Sequence, residues 1–121
     1  MVTNYINRFR NYAISQGVTM EAVYYYEDKD KKEVDKLIAD EFFKRLGVLD
    51  REAKLMGTQR RAGYYLYVKA DSPDKFKVAE QNIAESKLPL TKVAGDEEKA
   101  VVEAIKREEE EAASGMGAIF G

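Results

Sequence analysis

The chain has 121 residues and a formal net charge of −2, and it contains neither cysteine nor histidine. This length suits one domain with a single core. Without cysteine the chain has no disulfides and no thiolate metal sites, and without histidine it lacks the usual general base at neutral pH. It also has no glycine-rich phosphate-binding motif. We therefore expect a protein that is not an enzyme and needs no cofactor or metal.

Charge is distributed unevenly along the chain. Residues 1–95 carry 17 basic and 14 acidic side chains, a net charge of +3, whereas residues 96–121 carry 3 basic and 8 acidic side chains, a net charge of −5. A basic body with an acidic tail is found in nucleic-acid binders and in assembly proteins alike. The N-terminal residues lack the apolar core of a signal peptide, and no run approaches the roughly 18–20 apolar residues of a membrane span. We expect a cytoplasmic protein with no membrane partner.

The first half of the chain predicts two helices around a strand. Residues 3–16 place five apolar or aromatic residues on one helical face, namely Tyr5, Ile6, Phe9, Tyr12 and Ala13. Residues 18–27 are β-branched and aromatic enough to form a strand. Residues 30–46 again show helical spacing, and Gly47 can end that helix.

The second half predicts the remaining strands and helices. A weak strand near residues 52–58 precedes a strong strand at residues 63–70. Ser72 and Pro73 mark the start of a helix, because serine caps a helix and proline is tolerated in its first turn. A short strand at residues 90–94 then leads into a last helix that begins near Gly95.

These elements follow the order of an α+β fold, the ferredoxin-like split βαβ (βαββαβ), with an extra helix at each terminus and an acidic C-terminal tail. We divide the chain into a globular domain, residues 1–95, and an acidic helix with an apolar tip, residues 96–121. The first and third strands are expected to be central neighbours, with the helices on one face of the sheet. Seven residues are expected to be nearly fully buried: Leu37, Ile38, Phe42, Leu66, Val68, Phe76 and Ile83.

Tyrosines are concentrated on the two strands that are expected to be central. Alternation along the third strand sends Leu66 and Val68 to the helix-covered face and Tyr65 and Tyr67 to the other face. That second face is the candidate nucleic-acid or subunit interface, and its residues are Tyr25, Arg60, Arg61, Tyr65, Tyr67 and Lys69. RNA-recognition domains stack bases on the same two strands, although Tyr65 stands where their motif has a small residue. The alternative is that a terminal helix or a second subunit covers the face.

The C-terminal segment combines a run of four carboxylates, Glu108–Glu111, with an apolar tip formed by Met116, Ile119 and Phe120. Four adjacent carboxylates repel one another, so we expect the last helix to weaken there. Exposed apolar residues reduce solubility unless something covers them. The pattern therefore predicts a tail that a protein partner or a neighbouring subunit captures.

The tail resembles the C-terminal peptide of the archaeal ribosomal stalk proteins, which end in an acidic run followed by Gly-Leu-Gly-Ala-Leu-Phe-Gly or a similar peptide. The matching residues are Gly115, Met116, Gly117, Ala118, Ile119, Phe120 and Gly121. In that family the peptide recruits translational GTPases, and its apolar residues fill a hydrophobic groove. Residues 1–95 do not resemble the all-helical dimerisation domain of those proteins. Acidic tails that end in phenylalanine also occur on single-strand-binding proteins of bacteria and phages.

Three functions fit these patterns. The first is a protein-interaction adaptor, or small subunit of a larger macromolecular assembly, whose tail docks on a partner. The second is an RNA- or ribosome-associated factor that uses the tyrosine-rich face. The third is a structural subunit of a virion or another assembly, which includes homo-oligomers.

Overall fold

The computed structural model of the chain describes residues 19–120, and it describes the side chains as far as Ala113. Four strands and four α-helices make up this part. The strands are β1 (Met20–Tyr26), β2 (Leu49–Glu52), β3 (Tyr64–Ala70) and β4 (Thr91–Lys92); the helices are α1 (Lys31–Ile38), α2 (Glu41–Leu46), α3 (Pro73–Ser86) and α4 (Gly95–Phe120). The helix predicted for residues 3–16 lies outside the described residues.

The four strands form one sheet in the order β2-β3-β1-β4, and every neighbouring pair is antiparallel. The prediction of an α+β fold is confirmed, as is the central position of the first and third strands. Their register places Tyr25 directly opposite Tyr65. The tyrosines that the sequence analysis assigned to one face therefore do lie together.

Both faces of the sheet are covered, so the expectation that the helices lie on one face holds for α1, α2 and α3 and is wrong for α4. The face that carries Leu66 and Val68 packs against α1, α2 and α3, with Val34, Phe43, Phe76, Ala79 and Ile83 in the shared core. The other face, with Val23, Tyr65 and Tyr67, packs against α4 through Val101 and Ile105. The alternation predicted along β3 is thus confirmed. The first turns of α4 therefore pack against the sheet, although the division made from the sequence placed them outside the globular domain.

The predicted helix over residues 30–46 is wrong in one respect, because the chain turns at Ala39 and Asp40 and forms two helices. Asp40 caps α2: its carboxylate accepts a hydrogen bond of 3.2 Å from the backbone N–H of Phe42. The turn rotates the apolar stripe, so Phe43 is buried while Phe42 is half-buried. Leu37 and Ile38 are likewise half-buried against the core rather than enclosed by it.

Other segment boundaries show one confirmation and two corrections. Ser72 caps α3 by accepting a hydrogen bond from the N–H of Lys75, and Pro73 is in the first turn, as predicted. The second strand is Leu49–Glu52 rather than residues 52–58, where a short 3₁₀ turn, Ala53–Leu55, takes over. The backbone of α4 is helical through the acidic run to Phe120, so the expected weakening is not seen.

Candidate functional site

The tyrosine-rich face is enclosed by α4. Tyr65 is 1% exposed and Tyr67 is 3% exposed, and the side chains that cover them, Val101 and Ile105, are themselves buried. Rings in this position cannot stack on bases, because bases need an open aromatic surface. The alternative that a terminal helix covers the face is therefore the correct one for Tyr65 and Tyr67, which are packing residues.

Arg60 closes a ring of hydrogen bonds where α4 begins. Its Nε donates to Oε2 of Glu97 at 2.5 Å, and the hydroxyl of Tyr65 donates to the same oxygen at 2.6 Å. Because the Tyr65 proton is used in this way, the hydroxyl of Thr58, 2.9 Å away, must be the donor to Tyr65. The backbone N–H of Arg60 in turn donates to Thr58 Oγ1 at 3.3 Å. The ring fastens the first turn of α4 to the loop before β3.

Ionisation in this ring follows from its hydrogen bonds. The hydrogen bond from Arg60 is the main reason that the pKa of the Glu97 carboxyl is lowered; burial opposes it and the Tyr65 hydroxyl adds to it. Burial raises the pKa of Tyr65, and the hydrogen bond to Glu97 raises it further. At neutral pH the ring therefore holds an ionised carboxylate, a guanidinium and a neutral phenol. It forms a structural clasp with its charges already paired.

The remaining residues of the candidate interface are not brought into one surface. Tyr25 is half-buried beneath Arg60, whose guanidinium carbon lies 3.7 Å from the ring centroid, and its hydroxyl donates to the carbonyl of Ala62 at 3.2 Å. Arg61 and Lys69 are exposed, at opposite ends of β3. Because Arg60 lies between Tyr25 and Glu97, its charge is already paired within the protein.

A second set of contacts anchors the middle of α4. Arg51 on β2 donates through Nε to both carboxylate oxygens of Glu108, at 3.2 and 3.1 Å. Beneath this helix, the hydroxyl of Tyr67 donates to the carboxylate of Glu21. Burial raises the pKa of Tyr67 and this hydrogen bond raises it further, so the phenol stays neutral. The pairing of Arg51 with Glu108 was not predicted from the sequence, because it depends on where α4 crosses the sheet.

Beyond Ile105 the described side chains of α4 are exposed, although Glu108 still pairs with Arg51. Every residue from Lys106 to Ala113 is exposed, whereas Val101 and Ile105 on the preceding turns are buried. The helical backbone nevertheless continues to Phe120. We call residues 109–120 the overhang. The side chains of Met116, Ile119 and Phe120, the candidate partner-binding residues, lie outside the described part of the structure.

A groove of about 710 Å³ opens at the end of the sheet where the overhang begins. Both core layers reach it, since Phe42 and Leu46 belong to the edge of one and Leu49 to the edge of the other. Its lining residues are Thr19, Phe42, Arg45, Leu46, Gly47, Leu49, Tyr67, Lys69, Ala70, Asp71, Lys75 and Glu109. The floor is apolar and the rim is charged, so the groove suits an amphipathic segment.

One polar network on the opposite face was missed by the sequence analysis. The hydroxyl of Tyr26 donates to Asp50 Oδ1 at 2.6 Å, and Lys31 pairs with the other carboxylate oxygen of Asp50. Tyr64 stacks on Tyr26 with ring centroids 5.4 Å apart. The residues come from β1, β2, β3 and α1, so no spacing along the chain could have indicated them. The network joins these four elements.

Comparison with protein-family models, with curated proteins and with solved structures found no match to this chain. Within residues 19–113, no three carboxylates are grouped so that they could hold a metal ion. In the same part of the chain, no helix is both long enough and apolar enough to cross a bilayer.

Proposed function

We propose that this protein is a non-enzymatic adaptor, or a small subunit of a larger assembly, that binds a protein partner through the overhang of α4. The observation that carries this proposal is the change in burial along that helix. Its first turns are enclosed against the sheet, and every residue from Lys106 to Ala113 is exposed. A helix rises 1.5 Å per residue, so Phe120 lies about 18 Å beyond Glu108 along the axis.

The apolar tip has the spacing of a helical binding motif. Positions 116, 119 and 120 are related by three and four residues, and a helix brings such positions to one face. An amphipathic helix that presents apolar residues at i, i+3 and i+4 is a common ligand for a hydrophobic groove. Since the backbone of α4 is helical to Phe120, a helix-in-groove mode suits this tip.

The chemistry of the partner follows from the residues around the tip. Burying one large apolar side chain contributes about 1.5–3 kcal/mol, so three together support a micromolar contact after ordering costs. Glu110 and Glu111 precede the tip and are exposed, which favours a groove with a basic rim. The resemblance of residues 115–121 to the stalk peptide suggests a translational GTPase as one such partner.

We also infer that the fold is the ferredoxin-like split βαβ. Support comes from the sheet order β2-β3-β1-β4, from its antiparallel pairings, and from the helices that connect β1 to β2 and β3 to β4. This fold serves many functions and therefore does not choose among them. The covered tyrosine face removes the main support for an RNA-binding function, and the adaptor function is preferred because residues 106–113 of α4 are exposed.

The test uses affinity purification from the native source with the full chain and with a variant that combines Ile119→Ser and Phe120→Ser. We expect the full chain to retain a partner in stoichiometric amount and the double variant to lose it. Ala118→Ser is the matched control, since position 118 falls on the opposite side of the helix from positions 116, 119 and 120.

Both variants must keep the melting temperature of the unaltered protein, because the substituted positions follow a stretch of α4, residues 106–113, that is already exposed. A partner that survives the double substitution would show that the tip is not the binding element. A double variant that melts much earlier than the Ala118→Ser control would show that the tip belongs to the protein's own core.

A further inference from the structure

We infer that the groove at the end of the sheet receives the overhang of a second copy of this chain, so that the protein associates with itself. The inference rests on the proposed function, because it names a partner for the same overhang. Three observations lead to this occupant: the half-exposed apolar floor of the groove, the balance of charge on its rim, and the course of α4 past it.

The floor of the groove is left incomplete by the described elements. Phe42, Leu46 and Leu49 extend the two core layers but are only half-buried. The volume of about 710 Å³ lies within the range of roughly 300–1,000 Å³ for pockets that enclose a ligand. Large apolar side chains at the edge of a core are stabilised when another apolar surface covers them. The floor therefore favours an occupant with a cluster of apolar side chains.

The rim of the groove carries more basic than acidic side chains. The basic ones are Arg45, Lys69 and Lys75, and the acidic ones are Asp71 and Glu109. Lys75 pairs with Asp71 at 3.2 Å, and Arg45 pairs with a carboxylate outside the groove at 3.3 Å. These side chains are more than half exposed, so the pairs contribute little. Lys69 is exposed and is in no ion pair among the described residues. The rim therefore favours an acidic occupant over a basic one.

The overhang has the complementary composition. Residues 108–121 contain four carboxylates and no basic side chain, and they end in the apolar tip defined above. Glu110 and Glu111 are exposed, and the backbone of α4 is helical to Phe120. A helix with an apolar face is a common ligand for an apolar groove. A segment that is both acidic and apolar suits the rim and the floor together.

The course of α4 shows that the groove is not filled by the overhang of its own molecule. Glu109 stands on the border of that groove. Residues 110–113, which follow it, do not line the groove and are exposed. The helix continues without a break, and at 1.5 Å per residue position 120 lies about 16 Å further along its axis than Glu109. A continuous helix does not fold back, so the groove that receives the tip belongs to another molecule.

Two copies can make this contact twice. Each molecule carries both surfaces, and Glu109 places them side by side. A two-fold axis between two copies lets each overhang enter the groove of the other, which gives a closed, isologous arrangement. Once the first contact has formed, the second is intramolecular, so the pair is bound more tightly than by one contact alone. The expected species is a dimer.

Sedimentation velocity of the purified full chain at increasing concentration tests the inference. The unaltered protein should form dimers, and Leu46→Ser in the floor should weaken dimerisation at least severalfold. Lys69→Glu on the rim should also weaken it, and this second variant should fold normally because the side chain is exposed. Lys32→Glu is the matched control and should dimerise fully. Lys32 is exposed on α1, next to Lys31, which lies over the ring of Tyr64 at the other end of β3.

A mixture of two variants identifies the surfaces that meet. One variant carries Leu46→Ser and keeps its overhang, and the other carries Ile119→Ser and Phe120→Ser and keeps its groove. Each should be monomeric at concentrations at which the unaltered protein is dimeric. The mixture should form a heterodimer through the one intact contact, more weakly than the unaltered protein dimerises.

The outcomes separate this inference from the proposed function. A purified chain that stays monomeric at every concentration would overturn the inference, as would a mixture that gives no heterodimer. Dimers that form equally in Leu46→Ser and Lys69→Glu would also overturn it. In each case the proposed function still stands if the combined Ile119→Ser and Phe120→Ser variant loses a partner from the native source. Dimers and native partners that both survive this double substitution would contradict the two together.

Discussion

Phe42 and Phe43 are adjacent in sequence, and their rings lie 5.3 Å apart, yet they occupy different environments. Phe43 is 1% exposed and belongs to the core between the sheet and the helices, whereas Phe42 is half-buried at the edge of the groove. Adjacent residues of a helix point about 100° apart, so the two rings cannot both face the core. The turn at Asp40, where α2 begins, sets which of them does.

Replacing Phe43 with alanine should lower the free energy of unfolding by about 3–5 kcal/mol, because the substitution loses transfer energy and leaves a cavity. Urea denaturation measures this change. Leu55→Ala is the control: that side chain is largely exposed, so its loss should cost within about 0.5 kcal/mol. Equal costs for the two variants would contradict the assignment of Phe43 to the core.

Gly63 is required at the start of β3 by its conformation and by its neighbour. Its φ is +88°, in the left-handed region, and a Cβ there would lie 2.6 Å from Cε1 of Tyr25. Gly57 has a similar φ of +75° but open space around it. Substituting each glycine therefore distinguishes the cost of a left-handed backbone, which both positions share, from the cost of steric overlap, which is found at Gly63 and not at Gly57.

Gly57→Ala should cost about 1–2 kcal/mol from the left-handed backbone alone. Gly63→Ala should cost roughly 1–3 kcal/mol more, because Tyr25 must also move away from Arg60 and Ala62. Thermal denaturation of the two variants gives this difference directly. If Gly63→Ala were no worse than Gly57→Ala, the close packing of Tyr25 on this glycine would be refuted.

The attachment of α4 depends partly on ionised side chains at the protein surface. The clasp formed by Arg60, Glu97 and Tyr65 holds its first turn, and the pair between Arg51 and Glu108 holds the turn after Ile105. The pKa of Glu97 is lowered in the folded protein. Its contribution to stability is therefore present above the pKa of the unfolded chain and is lost as pH falls through the folded pKa.

We expect Glu97→Gln to be less sensitive to acid than the unaltered protein. The side chains of Arg60 and Glu97 are 38% and 29% exposed, so the loss at neutral pH should be about 0.5–1 kcal/mol, and the two proteins should converge as the pH falls through the lowered pKa of Glu97. Asp96→Asn is the control, because Asp96 is in the same first turn and no ion pair is seen for it among the described residues. The measurement is the free energy of unfolding at a series of pH values.

Element by element, local signals identified the parts of this fold that local chemistry determines. The strand Tyr64–Ala70 and the cap at Ser72 could be predicted because alternation and capping act over a few residues. The break at Asp40 was missed because the apolar stripe fits one continuous helix, although an aspartate there was an available capping signal. The clasp at Glu97 was missed because it joins residues 37 positions apart, and the covering of Tyr65 depends on tertiary packing that no local pattern encodes.

For the molecule as a whole, α4 carries the acidic part of the chain, and the exposed stretch of this helix carries a run of four carboxylates. Residues 1–95 carry a net charge of +3 and residues 96–121 a net charge of −5, and the carboxylates after Ile105 are on the exposed stretch of the helix. Glu108 is paired with Arg51 and Glu109 borders the groove. Glu110 and Glu111 are thus the two charges of the run that are best placed to meet a partner.

Electrostatic attraction between exposed charges accelerates encounter more than it strengthens the final complex. Replacing Glu110 and Glu111 with glutamine should therefore slow association with the captured partner severalfold and leave the dissociation rate nearly unchanged, as measured by surface plasmon resonance. Raising the salt concentration should lower the association rate of the unaltered protein toward that of the variant, because salt screens exposed charges. Ile119→Ser should show the opposite behaviour, with faster dissociation and unchanged association. If the glutamine substitutions accelerated dissociation instead, the carboxylates would be part of the bound interface rather than a means of approach.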